Sequence, residues 1–407
     1  MKHKQLLNIQ IFFNLIWAIY ELLNPMNMHK QVGVYIYGAI IILLAAFLIT
    51  SNIRGKLSSI ITSALSVIVL PYILLMLCGS FFSKLCEVLP NFRIGFQVIY
   101  FLVLSVTLIP NILQNYGKLN NWIYRLVSVL AICEGMLFNG GMAPQAHSIM
   151  TTVIKSGLDL AFAMLVTSYF LMKVWNIRYR INFIPKNSKN FQLSVLIILI
   201  IAFTWYILVD TFRDTIDTPL EAFWKFDFSI LDPSQSVEGL SSLAVVLMPI
   251  FAAVFEETMR YVNLVIVLKG LKGRFRLELA VLISATIFAL VHYGNIVTHQ
   301  QSFVETNYQV AGSLGFGGMM AVLYLYTGQI WLPMLLHFLN DYILFAHTPL
   351  STGTAGNFYG YGISPIVLEI IIIGISILFT ILMLFGKRRK YMEENADKLI
   401  EPIHSAF

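Results

Sequence analysis

Charge is what this 407-residue chain has least of. Asp, Glu, Lys and Arg make up 12% of it, against about 25% in an average soluble domain. Hydrophobic residues take 58% instead of about 45–50%, and the mean hydropathy is +0.76. Such a shortage of surface charge excludes a soluble enzyme, a disordered chain and a nucleic-acid-binding module, so no nucleic-acid partner is expected. Cysteine is also scarce. Cys78, Cys86 and Cys133 are too few for a disulfide framework and lack the paired spacing of a zinc site. Cys78 and Cys86 flank what reads as one loop, where they could pair if that loop were extracellular. Neither H-E-x-x-H nor G-x-S-x-G occurs, so the common metalloprotease and serine-hydrolase signatures are absent.

What the chain does have is long apolar runs. A helix that crosses a bilayer needs about 20 mostly apolar residues. Runs of this kind fall at roughly 6–23, 32–50, 57–78, 94–113, 121–138, 157–175, 193–209, 241–268, 279–296, 311–327, 330–346 and 365–386. They predict an all-α polytopic membrane protein of about twelve transmembrane helices. Sorting Lys and Arg by loop places 20 on one side and six on the other, with Arg260 inside a run. By the positive-inside rule this bias puts both termini in the cytoplasm of a multi-pass cell-membrane protein. The net charge of +6 then reports topology rather than an anionic partner. A basic loop at 176–191 and an acidic one at 210–240 divide the chain. Residues 1–192 form an N-terminal block of about six helices. Residues 193–390 form a second block with its motif core at 240–346, and 391–407 read as a short, polar, loosely ordered cytoplasmic tail. No internal repeat relates the two blocks.

Ionisable residues at membrane depth are functional candidates by default, and the second block collects them. Phe255-Glu256-Glu257-Thr258-Met259-Arg260 places two carboxylates and a guanidinium mid-helix. Arg260 lies four residues from Glu256 and three from Glu257, so it can pair with either along one face. The carboxylate left over could bind a metal, hold a proton or activate a water. The next run ends Phe288-Ala289-Leu290-Val291-His292, and a later one contains His337 and Asp341, four apart on one face. Two His with Glu and Asp partners make a ligand set that a hydrolytic Zn²⁺ accepts, with a position open for water. Zn²⁺ is therefore an expected cofactor, held by His292, His337, Asp341 and Glu256. The competing readings are plain: an intramembrane His is commonly a packing residue, and a Glu–Arg pair within one helix can be structural. Gly312, Gly315, Gly317 and Gly318 read as close helix packing.

Acid pair, Phe-x-x-x-His and His-x-x-x-Asp, in that order on successive apolar segments, resemble the CPBP family of intramembrane peptidases, also called Abi, which includes the type II CAAX prenyl endopeptidases. The lead-in Thr327-Gly328-Gln329-Ile330-Trp331-Leu332-Pro333 is similar to the family's Gly-x-x-Trp-x-Pro approach to its second His. The resemblance covers about 240–346. One feature departs from it: two residues rather than three separate Glu257 from Arg260, which shifts Arg260 by about 100° around the helix. The resemblance implies a CPBP-like helical core and peptide-bond hydrolysis in or near the bilayer by Glu256 or Glu257. His292, His337 and Asp341 would hold a metal or stabilise the oxyanion. It also implies a bacterial membrane as the home, a lipophilic or membrane-associated peptide or membrane protein as substrate, membrane lipid as surroundings, and peptide (bacteriocin) maturation or self-immunity as setting. Two other readings stand beside it: a non-catalytic scaffold that regulates a membrane-protein partner, and a twelve-helix proton-coupled transporter.

Overall fold

A computed structural model describes residues 2–24, 30–53, 55–138, 148–185, 187–212, 219–232, 241–297, 302–346 and 365–402. Much of the acidic 210–240 loop therefore lies outside the described residues. Those described are helical throughout, and the single β-bridge among them joins Asn182 to Gln329. They pack as two compact units, Met1–Ile177 and Arg178–Phe407.

The first unit comprises α1 (Lys2–Leu23), α2 (Lys30–Asn52), α3 (Lys56–Val88), α4 (Pro90–Lys118), α5 (Trp122–Phe138), α6 (Ile149–Lys155) and α7 (Leu158–Val174). α1 packs on α2, α3 on α4 and α5, and α4 on α7. α3 changes to a π turn at Leu65–Val69, just ahead of Pro71. Proline has no N–H to continue the ladder. The carbonyls released there are taken up by α4, with Asn111 Nδ2 donating to Ser66 O at 2.7 Å and the Tyr116 hydroxyl to Val67 O at 3.4 Å. α6 and α7 meet at a bend of 59°, made at Gly157, whose φ of 82° is left-handed.

α3 corrects the expected cysteine loop. The helix runs on to Val88, so Cys78 and Cys86 sit eight residues apart on one continuous helix, and both are free. Eight residues of α-helix rise about 12 Å, well beyond the reach of a disulfide.

The second unit comprises α8 (Leu193–Phe212), α9 (Ser242–Gly270), α10 (Arg276–Val291), α11 (Phe303–Thr327), α12 (Trp331–Ala346), α13 (Pro365–Met383) and α14 (Gly386–Leu399). From Glu257 to Leu268 every residue of α9 is buried, which makes it the central helix. α10 and α12 pack against it, and α11 packs on α10 and α13. Glycines set the approach of α11. A Cβ at Gly315 would fall 1.8 Å from Ser376 Oγ, one at Gly318 2.8 Å from Thr380 Oγ1, and one at Gly317 3.2 Å from the Ala285 Cα. Gly312 faces open space and has no such role. α11 stops at Gly328, with φ 69°, where a side chain would collide with the Phe183 carbonyl at 2.5 Å. The chain then turns directly into α12.

Among the described residues eight helices are long and apolar enough to cross a membrane, and ten when the bent pairs α6–α7 and α13–α14 each count as one span. The remaining two of the twelve predicted spans correspond to α5 and α12, described over 17 and 16 residues. The expected loose tail is also corrected. Residues up to Leu399 continue as α14, turned 76° from α13. α14 buries Tyr391, Met392, Asn395, Ala396 and Leu399 along one face. Asn395 Nδ2 donates to Leu325 O at 3.0 Å, Arg276 pairs with Asp397 at 2.6 Å, and Arg389 pairs with both Glu278 and Glu393.

Candidate active site in the second unit

The central helix decides which carboxylate is paired. Glu257 begins the fully buried stretch of α9, and its side chain is 3% exposed, whereas the Glu256 side chain is 27% exposed. A buried carboxylate needs a countercharge and hydrogen-bond donors. Glu257 has both: Arg260 Nη1 donates to Oε2 and His337 Nδ1–H donates to Oε1 at 2.8 Å. Of the two pairings that the spacing allows, the i,i+3 pair forms. Glu256 has no hydrogen-bond partner among the described residues, and its Oε2 stands 3.7 Å from His337 Nε2.

His337 is thus fixed through one nitrogen and presents the other. Its Nε2 lies 3.5 Å from Asp341 Oδ2 one turn further along α12, and Asn340 Nδ2 donates to Asp341 Oδ1 at 3.1 Å. Edge contact with Phe316, centroids 5.1 Å apart, and with Phe288, at 6.3 Å, holds the ring in place. Arg260 rests on the same two rings, its Cζ 3.9 Å from the Phe288 centroid and 5.8 Å from that of Phe316. Its Nε and Nη2 have no hydrogen-bond partner among the described residues, and the aromatic faces supply the compensating negative potential. On the Tyr261 and Tyr324 side of the ion pair the open space is about 10 Å³, room for one water at most. No peptide fits on that side of the ion pair.

His292 ends α10. Its Nδ1–H donates to the Phe288 carbonyl at 3.0 Å, one of the last carbonyls of that helix and without a helical partner. The hydrogen bond fixes the tautomer and leaves Nε2 as an acceptor. Its ring also stands edge-on to Phe288, with centroids 5.0 Å apart.

The structure therefore joins Glu256, Glu257, Arg260, His337 and Asp341 directly, while His292 joins them through Phe288. Of the four expected zinc ligands, Glu256 and Asp341 stand 3.7 and 3.5 Å from His337 Nε2, and His292 is joined to them through Phe288. Among the described residues no three His, Cys, Asp or Glu side chains are disposed to hold a metal. His337 is oriented by Glu257 and His292 by its own helix, each through Nδ1, and both keep Nε2 for a further partner. Two residues were missed in the sequence. Phe316 is embedded in a glycine-rich stretch with no motif spacing, and Asn340 precedes Asp341 without any periodic signal.

Residues 238–343 match the family model described as Type II CAAX prenyl endopeptidase Rce1-like. The C-terminal half carries an Rce1-like domain. Its limits enclose all six site residues, and it spans about a quarter of the chain. Neither comparison with curated proteins nor comparison with solved structures gives a match. The chain thus has eight to ten candidate membrane-spanning helices among its described residues, and its second unit contains a segment similar to the Rce1-like endopeptidase family.

Proposed function

We propose that the Rce1-like domain hydrolyses a peptide bond in a lipophilic or membrane-associated substrate, with Glu256 as the base. The observation that carries this reading is the division of labour in the acid pair. Arg260 and His337 both engage Glu257, so Glu256 is the partly exposed carboxylate with no hydrogen bond to give up. A water beside Glu256 loses its proton to that carboxylate as its oxygen attacks the substrate carbonyl. The carbonyl oxygen gains the negative charge and needs a preorganised donor. His337 fits that role as an imidazolium between carboxylates: its Nδ1–H donates to Glu257, and its Nε2–H, on the side of Glu256 and Asp341, is left to donate to the oxyanion. When the C–N bond breaks, the leaving nitrogen takes a proton back from the Glu256 carboxyl, and the products are a carboxylate and an amine. The free Nε2 of His292 serves to orient the water.

The steps above use this chain's own side chains and run through no metal. Metal analysis tests that part separately. We expect the purified protein to carry less than stoichiometric zinc, and its activity to survive a chelator. Stoichiometric zinc that is lost from the His292→Ala, His337→Ala double variant would reverse this conclusion.

The activity itself is tested in proteoliposomes with a fluorescence-quenched prenylated peptide. Wild type should cleave it and Glu256→Gln should not. If Glu256→Gln still cleaves, Glu256 is not the base; if neither wild type nor the variant cleaves while the cellular phenotype stays intact, the domain acts as a scaffold. Maturation of a secreted peptide or self-immunity is the setting in which such cleavage would be used.

A further inference from the structure

A pocket of about 480 Å³ in the second unit shares no residue with the candidate active site. It is formed by the 178–184 segment and the end of α14. Its volume is within the range of about 300–1,000 Å³ usual for small-molecule sites. Hydrogen bonds sew the two walls together. Arg178 N donates to the Glu401 carbonyl at 3.3 Å, Arg180 Nη1 to the Lys398 carbonyl at 2.9 Å, and Lys398 Nζ to the Ile184 carbonyl at 2.6 Å. Arg180 is also held by α9 and α11. Its N–H donates to the Tyr261 hydroxyl at 2.8 Å, and its carbonyl accepts from the Tyr324 hydroxyl at 2.7 Å.

Charge says what such a pocket takes. Arg178, Arg180 and Lys398 line it against a single carboxylate, Glu401, which leaves two positive charges uncompensated. Glu401 is already taken up by Arg180 Nη2, at 2.8 Å. Arg178 is exposed and has no ion pair among the described residues. Lys398 keeps two N–H groups beyond its bond to Ile184. These are charge-assisted donors for the oxygens of an anion. The surroundings are those of a membrane boundary. The pocket wall adjoins the turn from α11 into α12, where Gln329 Nε2 donates to the Phe183 carbonyl at 3.1 Å and Ile330 N to Asn182 Oδ1 at 2.9 Å. Ile184, in the wall, is 85% exposed, and Trp331, opening α12, is 53% exposed. Exposed apolar and indole surface beside fixed charge belongs at the end of a span, and a basic pocket there meets anionic headgroups.

We propose that this pocket binds the phosphate of one anionic phospholipid headgroup, with Arg178 and Lys398 as its donors. The site stands independently of the peptidase reading. Its test is native mass spectrometry of the full-length protein in detergent, with phosphatidylglycerol or phosphatidylcholine added. Wild type should retain one phosphatidylglycerol at concentrations where phosphatidylcholine is lost. Arg178→Gln, at an exposed position, should weaken retention about fivefold without changing the melting profile, and adding Lys398→Gln should bring the loss to about 30-fold. These are the effects of one and two basic residues beside an anionic headgroup. Lys387→Gln with Lys390→Gln removes as much charge from exposed positions of α14 outside the pocket, and should weaken retention by no more than about twofold. Equal retention of the two lipids would overturn the proposal, as would wild-type retention in Arg178→Gln. So would an equal loss in the Lys387, Lys390 variant, which would assign the effect to surface charge in general. Displacement of the lipid by millimolar glycerol phosphate or inorganic phosphate would overturn it in favour of a soluble phosphate.

Discussion

The two neighbouring carboxylates of α9 should respond in opposite ways to the same substitution. Glu257→Gln removes the charge that neutralises Arg260 where both side chains are 3% exposed. Breaking one side of a buried ion pair costs about 3–5 kcal/mol. The amide still offers an acceptor to His337 Nδ1–H, so the lower end, about 3 kcal/mol, is expected. The attraction between Arg260 and the Phe288 ring, worth about 2 kcal/mol when desolvated, is present in both proteins and offsets none of this loss. Glu256→Gln is different. That side chain is 27% exposed and holds no hydrogen bond, so stability should change by less than about 1 kcal/mol. Its effect falls on the reaction: removing a positioned general base should cost about 10²–10⁴-fold in rate. Heating followed by fluorescence-detected size exclusion reads the first quantity, and cleavage of the quenched prenylated peptide reads the second. The reasoning is refuted if Glu257→Gln melts like wild type. It is refuted as well if Glu256→Gln is the unstable variant, or keeps its activity.

Three further outcomes follow from packing. Gly315→Ala should destabilise by about 1–3 kcal/mol, the usual cost of overpacking, because its Cβ meets Ser376 Oγ at 1.8 Å; the double variant with Ser376→Gly should recover most of that loss in the same melting assay. Phe288→Leu keeps apolar volume but removes the ring that touches Arg260, His292 and His337. It should lower the cleavage rate about 10-fold, in line with the loss of a cation–π contact of 1–2 kcal/mol, while the protein still elutes as a folded species. Arg389→Ala combined with Asn395→Ala removes the ion pairs to Glu278 and Glu393 and the bond to Leu325 O that tie α14 down. Limited proteolysis should then cut within 386–399 at least several times faster than in wild type, and an unchanged rate would show that the apolar face alone holds the helix.

Fold class was legible because the bilayer leaves so few options: long apolar runs must be helices, and their lengths mark spans. Polar patches hid the rest. Ser80, Ser83, Lys84 and Glu87 made the end of α3 look like a loop, although its other face is apolar and buried at Phe82 and Cys86. α14 is rich in charge, and its buried face repeats as Tyr391, Met392, Asn395, Ala396 and Leu399, a pattern carried by only a few apolar residues. At the site, order along the chain was enough to pick out Glu256, Glu257, Arg260, His337 and Asp341. Spacing could not choose between the two Glu–Arg pairings, because both satisfy helical geometry. The choice depends on where α9 becomes buried all round, a tertiary property. Nor could spacing within separate helices tell whether four expected ligands converge, and it carried no sign of Phe316, whose ring matters only once α11 lies against His337.

The separation of the two glutamates also bears on how such a protein can change over evolutionary time. Burial cost, charge balance and the hydrogen-bonded anchoring of His337 rest on Glu257 and Arg260, while Glu256 approaches that framework only at His337 Nε2, 3.7 Å away. A lineage could replace Glu256 alone and keep the buried Glu257–Arg260 pair and the anchoring of His337. Loss of hydrolysis and loss of the fold are then separate events, and a silent descendant would be recognised by a conserved Glu257–Arg260 pair next to an altered residue 256.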